Sequence, residues 1–111
     1  MFDKIQKFYE SLPWVRKNRE ELKKVKFLLR YFFEGHPADA PISSRPMPIW
    51  NLGIFDIRIK MYNPLWIEIH LANPGRLIGK GGSTHKELTE FFEKWYNRRV
   101  QITLKEVKFW L

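Results

Sequence analysis

The chain has 111 residues, of which 44% are hydrophobic and 16% aromatic, and this composition predicts one folded domain and excludes a disordered tail. Twenty lysines and arginines against twelve acidic residues leave a net charge of +8, which favours RNA or DNA as a partner over an anionic membrane surface. The absence of cysteine excludes disulfides, thiolate metal sites and a cysteine nucleophile. No apolar run is long enough to cross a bilayer and the N-terminus lacks a signal-peptide core, so a cytoplasmic protein without membrane contacts is expected.

The first third of the chain has helical periodicity. Apolar residues at helical spacing predict a short N-terminal helical extension over residues 1–13. A long basic helix is predicted from Trp14 to Glu34, and Gly35 is expected to end it. The basic residues on its outer faces are more typical of a solvated surface than of a second phosphate-binding site. The predicted buried stripe of this helix consists of Leu22, Val25, Leu28, Leu29, Phe32 and Phe33.

Residues 36–53 contain four prolines among small polar residues and predict an extended connection that wraps over the domain. The hydrophobic period then changes to two, which predicts two strands. Asn63-Pro64 is a turn signal between them, so the strands should pair as an antiparallel hairpin. The residues predicted to face the core are Phe55, Ile57, Ile59 and Met61 in the first strand and Ile67, Ile69 and Leu71 in the second.

The last third of the chain predicts two helices and a third strand. Asn73 is placed to cap a very short helix that starts at Pro74 and ends at Ile78. A longer helix follows, and Thr84 with Glu87 has the spacing of a capping box at its start. The residues predicted to be buried are Leu88, Phe91, Phe92, Trp95 and Tyr96 of the helix and Val100, Ile102 and Leu104 of the strand.

Three glycines surround Lys80 in the stretch Gly79–Gly82, between the two predicted helices. Three interpretations compete: a nucleotide-phosphate loop, a loop that clamps a nucleic-acid strand, and a plain tight turn. The glycine spacing matches neither a P-loop, which also needs Ser or Thr after its lysine, nor a dinucleotide-binding fingerprint. Glycines without Cβ atoms let a sugar–phosphate backbone come close, and a lysine and a helix N-terminus attract phosphate. The strand clamp therefore fits best, and the tight turn remains open.

No group of residues points to catalysis or to a cofactor. The three histidines, His36, His70 and His85, are not at metal-ligand spacing. Ser83 near His85 is better interpreted as a helix cap than as a nucleophile with its base. The chain is therefore expected not to be an enzyme and to bind neither a metal nor a cofactor.

The stretch LIGKGGSTHKEL, which begins at Leu77, resembles the signature of the KH domain, whose G-x-x-G loop clamps the backbone of four nucleotides. The order of elements resembles the type II arrangement. IEIHLANPGRLIGKGG is similar to the KH domain of the ribosomal protein uS3 family, and RRVQITLKEV is similar to that of Era-family GTPases. The resemblance implies an α+β fold: a single type II KH domain over residues 14–111, with a three-stranded sheet, helices packed on one face and an N-terminal helical segment ahead of it.

The resemblance also implies a nucleic-acid site centred on the glycine loop. Gly79, Lys80, Gly81 and Gly82 would form the backbone clamp, with Arg76 and Lys86 beside the phosphates. Leu77 and Ile78 would form the floor of an apolar groove for bases, and the last strand around Ile102 and Leu104 its far wall. His85 departs from the family pattern, which usually has an aliphatic core residue there, and a shallower groove is one consequence.

The function implied by the resemblance is binding of a short single-stranded stretch of RNA, within a ribonucleoprotein or together with oligomerisation. Two alternatives remain open. One is a KH-fold scaffold that contacts a protein partner through its aromatic and basic N-terminal half, and the other is a regulator that binds single-stranded DNA. The polar sheet face, which carries Asp56, Arg58, Lys60, Glu68 and His70, is expected to be solvated or covered by another chain.

Overall fold

Helices and strands follow one another largely as the periodicity predicts. The computed structural model describes residues 13–36 and 39–108, so the predicted helical extension falls outside the described residues apart from Pro13. In chain order the elements are α1 (Pro13–Glu34), a 3₁₀ turn (Ile49–Leu52), β1 (Ile54–Tyr62), β2 (Leu65–Leu71), α2 (Pro74–Ile78), a second 3₁₀ turn (Lys80–Gly82), α3 (Ser83–Tyr96) and β3 (Val100–Glu106).

The three strands form one mixed sheet in the order β1-β2-β3. β1 and β2 are an antiparallel hairpin, whereas β3 returns parallel to β2 after the crossover through α2 and α3. Residues Leu65, Ile67, Ile69 and Leu71 of the central strand are at most 1% exposed, because the helices cover this face of the sheet. The structure confirms the predicted α+β architecture with a three-stranded sheet and helices on one face.

The apolar stripe of α1 is the second half of the core. Val25, Leu28, Leu29, Phe32 and Phe33 are at most 1% exposed, and Leu22 packs against them at the edge. They meet Leu88 and Phe92 of α3, which are fully buried. The long basic helix and its stripe are therefore confirmed.

Two irregularities in β1 correct the prediction that Phe55 and Met61 face the core. The pairing steps from Ile54↔Leu71 to Asp56↔His70, and later from Ile59↔Ile67 to Met61↔Trp66, so β1 holds one extra residue each time. An extra residue turns the side chains that follow to the opposite face of the sheet. As a result Phe55 is 68% and Met61 43% exposed, while Ile57 between the two irregularities is buried as predicted.

Asn73 occupies the N-cap position of α2 and Pro74 follows it, as predicted, but the Asn73 side chain forms no capping bond. Its Nδ2 donates to the Asn51 carbonyl oxygen at 2.9 Å. Another prediction from a local pattern was wrong. Trp95 was assigned to the buried stripe of α3, yet it is 59% exposed, since the core ends at Phe92 and Tyr96 on that helix.

The sheet face turned away from the helices contains a buried carboxylate. Glu68 is only 5% exposed and lies in register between Arg58 of β1 and Thr103 of β3. His70 Nε2 donates to Glu68 Oε1 at 2.7 Å, since a carboxylate can only accept. This hydrogen bond, with help from the nearby charges of Lys60 and Lys105, holds the pKa of the Glu68 carboxyl below its usual range despite burial.

Within residues 13–36 and 39–108, no helix combines the length and the apolar character that crossing a membrane requires.

Candidate nucleic-acid interface

The glycine stretch forms a sharp link between α2 and α3 in which all three glycines have positive φ angles. Gly79 (φ 74°) ends α2, and its N–H donates to the Gly75 carbonyl oxygen at 3.0 Å. Gly81 and Gly82 follow with φ angles of 65° and 78°, in a conformation that L-residues with a side chain rarely adopt. The stretch therefore needs glycine for its backbone conformation alone, which is consistent with a turn as well as with a clamp.

The three glycines differ in their surroundings: Gly79 is packed against another residue, whereas Gly81 and Gly82 are not. A Cβ on Gly79 would lie 2.8 Å from Thr84 Cβ, so α3 packs directly against this residue. A Cβ on Gly81 or Gly82 would meet nothing within 4 Å. The backbone of Gly81 and Gly82 is therefore open to an approaching molecule, and Lys80, between Gly79 and Gly81, is exposed.

The start of α3 carries no side-chain cap, which corrects the predictions of a Ser83 cap and of a Thr84–Glu87 capping box, and Gly82 occupies the N-cap position. Thr84 is fully buried and its Oγ1 has no hydrogen-bond partner, because the close packing against Gly79 turns it inward. Glu87 accepts instead from Ser44, from the hydroxyl at 2.6 Å and from the backbone N–H at 3.3 Å. The first turn of this 14-residue helix therefore keeps its positive dipole end uncovered by a side chain.

A cleft of about 540 Å³ opens beside the glycine stretch. Arg76, Gly79 and Lys80 line it. The proline-rich segment, residues 36–53, contributes Arg45, Met47 and Asn51 to the same lining. Among the described residues, every charged side chain that lines this cleft is basic, and Arg45, Arg76 and Lys80 are all exposed. We refer to it as the basic cleft.

The residues predicted for the apolar groove do not all reach a surface. Leu77 is fully buried and Ile102 is 4% exposed, so these two belong to the core. Ile78 is 40% exposed and Leu104 is partly exposed, so both reach the surface. Lys86 is exposed on α3 but does not line the basic cleft.

His85 forms a hydrogen bond between α3 and the last strand. Its Nε2 donates to the Ile102 carbonyl oxygen at 2.7 Å, since a carbonyl oxygen can only accept. A separate hollow of about 490 Å³ lies between α3 and β3 and contains His85, Thr89 and Ile102. It shares no lining residue with the basic cleft, so the glycine stretch and β3 border two different concavities.

Arg45 is the charged residue of the basic cleft that the sequence alone did not indicate. A single arginine between a serine and a proline has no pattern of its own, and the segment reads only as an extended connection. The positive net charge was the one general signal, and it does not point to a position. Part of the segment also forms a 3₁₀ turn, Ile49–Leu52, which the prolines did not suggest.

The described residues include no group of three or more His, Asp or Glu side chains placed to hold a metal ion.

The fold and the glycine stretch together define an α+β domain whose G-x-x-G loop joins two helices beside a mixed sheet. The sequence pattern of the family described as KH domain matches residues 51–111, more than half of the chain, and the chain belongs to this family. KH domains are binding modules, so the family confirms the expectation that the chain is not an enzyme.

Several similar proteins are small ribosomal subunit protein uS3. The protein of Acetivibrio thermocellus is 36% identical over 61 residues, which cover 54% of this chain and 27% of that protein. The protein of Exiguobacterium sp. is 29% identical over 105 residues, 94% of this chain and 43% of the relative. The protein of Enterococcus faecalis is 44% identical over 46 residues, which cover 41% of this chain and 21% of that protein. The chain thus spans less than half the length of these relatives, and the resemblance to uS3 is confirmed.

Proposed function

We propose that the chain binds a short single-stranded stretch of RNA through the loop Gly79–Gly82. The observation that carries the proposal is the open backbone at Gly81 and Gly82, next to exposed Lys80 and ahead of the uncapped start of α3. A phosphate placed there meets a backbone without projecting Cβ atoms, the positive end of a helix and a mobile cation together. KH domains use a loop of this form to clamp four backbone nucleotides.

The basic cleft supports the same proposal. Arg76 and Arg45 flank Lys80 with positive charge and no acidic side chain among the residues lining the cleft. Arginine guanidinium groups bind phosphate oxygens in bidentate geometry, which a single lysine cannot do. A strand held at the loop would therefore continue along a surface of the right charge.

Bases would lie against the partly exposed apolar residues Ile78 and Leu104, with Leu77 and Ile102 beneath them. Lys86 lies on the first turns of α3 and would add long-range attraction. The Ile102 carbonyl oxygen already accepts from His85, which leaves it at most one lone pair for a base at that position. The relatives are named as ribosomal subunit proteins, which favours RNA over DNA and a place within a ribonucleoprotein.

Fluorescence anisotropy of a labelled, randomised RNA pool, with a matching DNA pool, tests the proposal. Lys80→Asp combined with Gly81→Asp should weaken RNA binding at least about tenfold, because it puts two negative charges where the phosphates would lie. If three cations contact phosphates, raising salt from about 50 to about 200 mM should weaken wild-type binding roughly 20-fold. DNA should bind more weakly than RNA.

The matched control is Lys94→Asp with Asn97→Asp at the far end of α3. It makes the same change in net charge at two exposed positions, and Asn97 has a positive φ of 51°, as Gly81 does. Both variants must retain the wild-type circular dichroism spectrum. Equal weakening by the two pairs would show that binding depends on total charge and not on the loop. No binding by the wild type at low salt would remove the proposal, and equal affinity for DNA would favour the DNA-binding alternative.

A second candidate function is the protein-interaction scaffold. Phe27 and Phe55, 54% and 68% exposed, border a hollow of about 500 Å³ between α1 and β1, and Lys26 and Arg30 lie at its edge. Exposed aromatic residues next to arginine are typical of protein interfaces. This candidate predicts a partner contact that survives Lys80→Asp with Gly81→Asp and is lost on Phe27→Ser with Phe55→Ser.

A further inference from the structure

The proline-rich segment is held in place by hydrogen bonds to elements around the basic cleft. The backbone N–H groups of Ser43 and Met47 donate to the carbonyl oxygens of Phe32 and Phe33 at the end of α1, at 3.0 and 3.1 Å. The Ile49 N–H donates to Glu34 Oε2 at 2.6 Å. The Ser44–Glu87 and Asn73–Asn51 hydrogen bonds then attach the segment to α3 and to the start of α2. Residues 43–51 of the segment are thus anchored beside the glycine loop.

Arg45 lies between two of these anchored residues and lines the basic cleft together with Arg76 and Lys80. Its backbone N–H donates to Ser43 Oγ at 3.0 Å, which orients the main chain and leaves the side chain exposed. Three cations around one cleft repel one another, and an anion bound between them offsets this repulsion. The arrangement therefore favours a polyanion that reaches both Lys80 and Arg45.

Trp50 is the most exposed large apolar side chain of those that the structure describes, at 76%. It lies on the 3₁₀ turn Ile49–Leu52, next to Asn51 of the basic cleft, and borders a second hollow of about 420 Å³. The two concavities share Met47. The acidic residue of the second hollow, Glu34, is occupied by the Ile49 N–H and by Arg30 at 3.6 Å. An indole in this position offers a flat, solvent-facing surface for a base.

We propose that the proline-rich segment adds a second nucleotide subsite to the loop, in which Arg45 binds a phosphate and Trp50 stacks on a base of the same RNA strand. The subsite rests on the proposed function, since the strand it extends is the one held at Gly79–Gly82. The RNA would run from the loop across the basic cleft and over Met47 to Trp50. A binding site longer than four nucleotides follows.

The length of RNA separates the subsite from the loop. Anisotropy is measured with randomised RNA pools of about four nucleotides, enough to fill a KH clamp, and of about eight. The wild type should bind the longer pool at least about tenfold more tightly, in line with one stacked base. Trp50→Leu should remove most of this gain and leave the shorter pool unaffected, whereas Trp50→Phe should keep it. Arg45→Ala should weaken binding of the longer pool. It should also reduce the magnitude of the slope of log affinity against log salt by about 0.7.

The matched controls are Trp95→Leu and Lys94→Ala, an exposed tryptophan and an exposed cation about 18 Å along α3 from its start. Both should bind the two pools as the wild type does. One outcome is that Trp50→Leu and Arg45→Ala bind both pools like the wild type while Lys80→Asp with Gly81→Asp abolishes binding. That result would refute the second subsite and support RNA binding through the loop. Equal weakening of both pools by Trp50→Leu would also overturn the subsite, because the effect would then be structural. If the wild type binds neither pool, the proposed function fails first and the subsite with it.

Discussion

Gly79 and Gly81 have similar φ angles but different surroundings, and this predicts different effects of substitution. Gly79→Ala places a Cβ against Thr84 in addition to the strain of a positive φ, so we expect a loss of about 2–4 kcal/mol in the free energy of unfolding. Gly81→Ala meets only the strain and should lose about 1 kcal/mol. Chemical denaturation followed by circular dichroism measures both.

Gly75→Ala is the control for this pair. Gly75 lies inside α2 and has no positive φ, and a Cβ added to it would meet no atom within 4 Å. Alanine there should therefore be neutral or stabilise by up to about 1 kcal/mol. A Gly79→Ala variant as stable as Gly81→Ala would show that α3 can move away from the loop. In that case the packing of Thr84 would not explain the glycine.

At the scale of elements, Glu68 on the outer face of the sheet should make a pH-dependent contribution to the free energy of unfolding. His70 lowers the pKa of Glu68, so the folded state holds its proton less tightly than the unfolded state does. The contribution is present above the usual pKa of about 4.5 and is lost as the pH falls through the lower folded value. Compared with Glu68→Gln in denaturant titrations from pH 7 to pH 3, the wild type should lose its advantage in this acidic window.

Asp56→Asn provides a comparison on the neighbouring strand. The hydrogen bond from Arg58 lowers the pKa of Asp56, so its effect should have the same sign, but Asp56 is more exposed than Glu68. We therefore expect the smaller change for Asp56→Asn. A difference between wild type and Glu68→Gln that stays constant with pH would mean that the His70 contact does not select the charged carboxylate.

At the scale of the whole molecule, the buried apolar residues that the structure describes extend from Val25 to Ile102. We propose that residues 14–111 form the domain and that residues 1–13 are an extension to it. Deleting residues 1–12 should therefore change the free energy of unfolding by less than about 1 kcal/mol and leave the cooperativity unchanged. Thermal and urea unfolding of both chains provides the measurement.

A longer deletion tests whether this experiment can detect a loss. Removing residues 1–29 also removes Val25, Leu28 and Leu29 and exposes the sheet, so cooperative unfolding should disappear. If deletion of residues 1–12 alone has a comparable effect, the extension belongs to the folded unit. The boundary at residue 14 would then be wrong.

The sequence by itself determined the elements and the position of the glycine loop, because these follow from short-range rules. Hydrophobic spacing is read within one helix or strand, which is why the stripe of α1 and the inward residues of β2 were predicted correctly. The positive φ angles of Gly79, Gly81 and Gly82 are likewise a local requirement that only glycine meets easily. This short stretch lies within residues 51–111, which match the KH family.

Only the tertiary structure decided which surfaces meet. The extra residues of β1 that expose Phe55 and Met61 are defined by pairing with β2, and the failed capping box depends on packing between Thr84 and Gly79. Arg45 reaches the basic cleft because hydrogen bonds from the proline-rich segment to α1 and α3 place it there. Contacts between residues distant in the chain are chosen by packing and hydrogen bonding of the whole fold, and no local pattern of residues records them.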